Sequence, residues 1–114
     1  MGRFIYGDTA HESYSIDDRT LAHLEFAISA QLRLGGAFAL TMDGEHIPAG
    51  RGRHVLWLHP AIPMQFSYLS DRRRISINPR WVAAMTAAAG SEQGLRIVPE
   101  PAPTEPKERE PLYG

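Results

Sequence analysis

Cysteine is absent from the chain, which removes a disulfide framework, a thiolate zinc site and a thiol nucleophile together and leaves a reducing compartment open to the protein. Lysine is nearly absent: Lys107 is the single one in 114 residues. An excess of either charge is lacking too. The 12 basic and 13 acidic residues give a formal net charge of -1, whereas a generic polyanion binder carries a basic excess. No apolar run reaches the roughly 20 residues that span a bilayer, and the N-terminus has no hydrophobic signal segment. The expectation is a soluble, cytoplasmic protein without a membrane partner.

What is present points to one domain with a core. At this length a chain buries enough apolar surface to fold without staples. The stretch around which the rest would pack is Arg53 to Leu69. Val55-Leu56-Trp57-Leu58 is apolar at every position, the pattern of a strand covered on both faces. Met64, Phe66 and Tyr68 then alternate with Gln65 and Ser67, the period of a half-buried strand. Pro60 and Pro63 between them fix the backbone and cannot donate to a ladder. The expectation is a central hairpin with a proline-braced loop.

Before it, Arg3-Phe4-Ile5-Tyr6 and Ser13-Tyr14-Ser15-Ile16 read as two short strands separated by the Gly7-Asp8 turn. Asp17 or Asp18 caps a helix that runs from about Arg19 to Leu34 and stops at Gly35-Gly36. Leu21, Leu24, Ile28 and Leu32 form its core stripe, with Ala22, Phe26 and Ala30 roughly opposite. Ala37 to Met42 is a strand, and Asp43-Gly44 is a turn signal. Asn78 and Pro79 open a second helix that ends at Gly90, with Trp81, Val82, Met85, Ala88 and Ala89 facing the core. Leu95 to Val98 is a last strand. The reading is an α+β domain over residues 1–98, a mainly antiparallel sheet with two helices in the order β-β-α-β-β-β-α-β. Residues 99–114 hold five of the nine prolines and four acidic residues, the composition of an extended or disordered tail.

Candidate chemistry is sparse. The five histidines, His11, His23, His46, His54 and His59, show no metal-ligand spacing, and His59 before Pro60 is expected to bond loop backbone. No catalytic residues, metal ligands or cofactor are assigned, because no acid, base and nucleophile can be assembled into one constellation. Two surfaces remain. Ala22, Phe26 and Ala30 on the first helix need a cover, which could be another protein or a second copy of the chain. Arg51, Arg53, Arg72, Arg73 and Arg74 flank the expected hairpin with Tyr68 beside them, and arginine forks with an aromatic face suit phosphates and unstacked bases. The functional expectation is a small non-catalytic interaction domain working through its first helix. The alternative is a nucleic-acid-binding module using the arginine loops.

The residues Met1-Gly2-Arg3-Phe4-Ile5-Tyr6-Gly7, Asp17-Asp18-Arg19-Thr20-Leu21-Ala22-His23-Leu24, Trp57-Leu58-His59-Pro60-Ala61-Ile62-Pro63-Met64-Gln65-Phe66 and Leu95-Arg96-Ile97-Val98-Pro99-Glu100-Pro101 together resemble a family of small, uncharacterised actinobacterial proteins. Members often carry the label ATP-dependent DNA ligase. The resemblance implies a cytoplasmic single domain and no known activity. A ligase needs the lysine of a Lys-x-Asp-Gly motif to attack ATP and hold AMP as a phosphoramidate. Here Thr41-Met42-Asp43-Gly44 has threonine at that place, and Lys107 lies in the proline-rich tail. Incubation with ATP and Mg²⁺ is therefore expected to leave the intact mass unchanged; a stable added AMP would overturn this.

Overall fold

The computed structural model describes residues 1–8, 12–47 and 52–102. Strand β1 (Gly2–Tyr6) pairs antiparallel with β2 (Glu12–Ile16), and helix α1 (Asp18–Leu32) follows. Next come β3 (Phe38–Met42), a 3-10 turn at Gly44–His46, β4 (His54–Leu58) and β5 (Met64–Ser67). A second 3-10 turn at Arg72–Arg74 leads into α2 (Pro79–Ala89), and β6 (Leu95–Arg96) completes the fold. The α+β class and the order of elements are those expected.

The strands do not form one sheet. Among the described residues they form two, ordered β2-β1-β5 and β4-β3-β6, with only the β3 to β6 pairing parallel. The expected central hairpin is thereby corrected: β4 pairs with β3 and β5 with β1, so the two strands lie in different sheets. A long-range backbone bond supplies the reason. Instead of folding β5 back on β4, the connection makes a tight turn, Ile62 N–H to His59 O at 2.9 Å, and Pro63 gives its carbonyl to Gly7 N–H at 2.8 Å. That bond delivers the chain to β1, where Met64 lies opposite Tyr6. The expectation that Val55 to Leu58 is covered on both faces also fails, because the face of β4 opposite Leu58 is exposed. β4 is an edge strand, and Val55 and Trp57 are 55% and 62% exposed.

Local signals otherwise act as chemistry dictates. Asp17 caps α1 by accepting from Thr20 N–H at 3.0 Å, and Asn78 caps α2 by accepting from Arg80 N–H at 3.0 Å, with Pro79 in the first turn. Asp18 ties α1 to the chain after β5: its carboxylate accepts from the Ser70 N–H at 2.8 Å and the Ser70 hydroxyl at 2.6 Å, which holds its pKa below the usual carboxylate value. Leu21, Leu24 and Ile28 are buried with Phe4, Ile16, Leu40, Met42, Leu58, Met85 and Leu95. Helix α1 is covered from two directions, by β1 and by α2. Ala22, expected on the outer face, is consequently fully buried.

One glycine is required by both conformation and space. Gly94 has φ +79°, and a Cβ there would lie 2.7 Å from the Ala39 carbonyl oxygen, where β6 approaches β3. Gly36 has neither constraint. Gly94→Ala should cost roughly 1–3 kcal/mol in urea unfolding, while Gly36→Ala should stay within about 0.5 kcal/mol of the parent; equal effects would contradict this account.

Candidate functional site

The most connected polar group of residues joins three parts of the chain. His23, on the α2 side of α1, is fully buried. Its Nε2 accepts from the Asn78 backbone N–H at 2.8 Å, so the proton sits on Nδ1, which donates to the Arg19 carbonyl at 2.7 Å. Burial pushes its pKa below the ordinary histidine value, and its ring lies 4.5 Å from that of Trp81. Asn78 in turn donates through Nδ2 to Glu100 Oε2 and to the Pro101 carbonyl, both at 3.0 Å. Glu100 closes the set in a two-point fork with Arg19, at 2.9 and 2.7 Å. The remaining Arg19 nitrogen reaches the Ser76 carbonyl at 2.8 Å. Trp81 Nε1 donates to the Val98 carbonyl at 2.9 Å. Pro99 to Pro101, placed in the tail by composition, thus lie on the body; residues 103–114 fall outside the described residues.

Beside this network is a cleft of about 390 Å³, bordered by Asp17, Thr20, Glu45, His46, Trp81 and Glu100. Asp17 is spent on the helix cap and Glu100 on Arg19. Among the described residues no three His, Asp or Glu side chains converge as metal ligands. His59 accepts from the Ala61 N–H at 3.0 Å, the loop role expected of it. His54 meets the Tyr14 hydroxyl at 2.7 Å.

The two surfaces read from the sequence are altered by the fold. Phe26 is 42% exposed, and the Arg72 guanidinium lies 4.9 Å over its ring, a cation–π contact. Arg72 is also 3.7 Å from Glu25, whose carboxylate accepts from the Tyr68 hydroxyl; burial raises the Tyr68 pKa. Arg72 and Tyr68 are therefore engaged with α1. Arg73 is 90% exposed and pairs with Asp71 at 3.2 Å, while Arg74 and Arg53 are exposed. Arg51 lies outside the described residues. The hairpin that was to bring the arginine loops together does not form. Ala30 is half-buried, so the first-helix surface reduces to Phe26 with a partial neighbour.

Two further exposed apolar side chains, Val55 and Trp57, lie elsewhere. On sheet β4-β3-β6, Ala39 is opposite Trp57, and Thr41 sits between Val55 and Arg96. These side chains share the face turned from the core, because Phe38, Leu40, Met42 and Leu58 take the other. Arg96 borders the face with Asp43, 3.9 Å away. The sequence signal was the unbroken apolar run; whether it meant a buried strand or an exposed edge depended on the partner of β4.

A family model described as Domain of unknown function (DUF7882) matches residues 1–100. The chain belongs to that family. No curated protein and no solved structure matches it. The match to the DUF7882 family ends at Glu100, the residue through which the C-terminal segment is bound to Arg19 and Asn78.

The Arg19 fork holds the Glu100 pKa at about 2, against an ordinary 4.5. A depressed carboxylate stabilises the fold above its unfolded pKa, and that contribution fades as pH falls from 4.5 through about 2. Glu100→Gln should be less stable than the parent in urea at pH 7, with the gap closing across that window. A gap independent of pH would contradict the ionic role.

Proposed function

We propose that this domain is a non-catalytic interaction module that associates with a second copy of itself through the outer face of sheet β4-β3-β6. The observation that carries the reading is Trp57, 62% exposed beside Val55 on an edge strand. Solvent-facing positions of a half-covered antiparallel sheet ordinarily alternate to polar residues, and tryptophan is the residue type most enriched at interface hot spots. The face suits a second copy because its bordering charges, Asp43 and Arg96, pair with each other at 3.9 Å, which leaves no net charge there to repel an identical face. The first-helix face is the lesser candidate, since Ala22 is buried and Arg72 covers part of Phe26.

Nucleic-acid binding through the arginine loops is the competing reading, carried by the exposed Arg53, Arg73 and Arg74. It is weakened by the engagement of Arg72 with Glu25 and Phe26 and of Arg73 with Asp71. Adenylation forms no part of the proposal, because Thr41 stands where the nucleophilic lysine would be.

Sedimentation velocity over a wide concentration range tests the reading. The parent should associate reversibly, and Trp57→Ser should weaken association by about 2 kcal/mol or more, roughly thirty-fold. Phe26→Ser should leave it unchanged. A parent that stays monomeric at every concentration would sink the proposal, and salt-sensitive binding of labelled DNA by such a monomer would favour the alternative.

A further inference from the structure

The C-terminal segment Ile97 to Pro101 is held to the body by the Arg19–Glu100 fork and by three bonds that converge on the start of α2. Val98 gives its carbonyl to the Trp81 indole, and Glu100 and the Pro101 carbonyl accept from the Asn78 side chain. The position of Asn78 depends on the His23 ring beneath it. Asn78 is buried, and its backbone N–H donates to Nε2 of His23. A buried N–H requires an acceptor, and an imidazole nitrogen is an acceptor only while it is unprotonated.

We propose that His23 is a proton-operated latch on this segment: a proton on Nε2 turns the acceptor of the Asn78 N–H into a donor, and the start of α2 releases Val98 and Pro101, leaving the segment on the Arg19–Glu100 fork alone. The Nδ1 proton is already committed to the Arg19 carbonyl, so rotating the ring exchanges one unmet donor for another.

The charges around the ring pull in both directions. Arg19 on the same helix and Arg72 from the turn before α2 disfavour the imidazolium, whereas Glu100 from the segment itself favours it. Helix α2 faces the ring with Asn78 and Trp81, which carry no charge. Burial outweighs Glu100 and places the His23 pKa below 6.5. A base with a depressed folded pKa keeps its neutral form above the ordinary value, so the latch is closed there and opens as pH falls below it.

The chain holds only two tryptophans, which makes the indole region of an NMR spectrum a direct reading. Trp81 reports the segment through its bond to Val98, and exposed Trp57 serves as the reference. In the full chain, acidification from about pH 7.5 is carried down until the His23 ring signals become those of imidazolium. In the same step the intrinsic-rate-corrected protection of the Trp81 indole N–H should fall at least tenfold. The amides of Phe4 and Leu40 in the two sheets should keep theirs. His23→Gln, which retains an acceptor and does not titrate, should abolish the pH response of Trp81. The proposal is overturned if Trp81 keeps its protection after His23 is protonated, if it loses protection only together with Phe4 and Leu40, or if a folded His23→Gln chain responds like the parent. Should that variant not fold, the parent titration decides alone.

Discussion

The backbone N–H of Asn78 lies out of reach of water and is satisfied by a side chain from another helix, Nε2 of His23. Much of the architecture depends on that bond being made. It fixes where α2 begins, and Asn78 then caps that helix with its own carbonyl oxygen while its amide nitrogen fastens the chain beyond β6. One residue thereby serves a helix start, a helix-to-helix contact and the attachment of the segment after β6. The arrangement needs a neutral imidazole, and burial beside Trp81 keeps it so.

Legibility in the sequence followed the range of the interaction. Asp17 and the Asn78-Pro79 pair act within one turn of helix, and both helix starts could be read from them. The apolar stripe of α1 also emerged, because helical spacing is a local property. Strand pairing is not. Pro60 and Pro63 were correctly seen as bracing a loop, yet nothing in their neighbourhood says whether such a loop returns the chain or passes it to another sheet. The bond from Gly7 to Pro63 settles the matter, and its two ends are far apart in the chain.

The candidate site was legible to a lesser degree for related reasons. Phe26 was rightly placed on the exposed side of α1, but Ala22 was not, since a wheel cannot say that α2 covers a second side of that helix. The apolar run through Val55 and Trp57 reads locally as an interior strand. Histidine spacing tests His23 only as a metal ligand. Its actual part rests on partners at Arg19, in its own helix, and at Asn78, in the next one. The Arg19 to His23 spacing of one helical turn was the available clue.

The two sheets are interleaved along the chain. Each begins with strands close in sequence, β1 with β2 and β3 with β4, and each then waits for a late arrival, with Phe66 reaching Phe4 and Leu95 reaching Leu40. Closing such distant pairs costs loop entropy before any contact rewards it. As the protein emerges from the ribosome, neither sheet can be completed by the first half of the chain. The core becomes whole only when the last of the described strands and the glutamate after it are free to join, so closure waits on contacts between elements far apart in sequence.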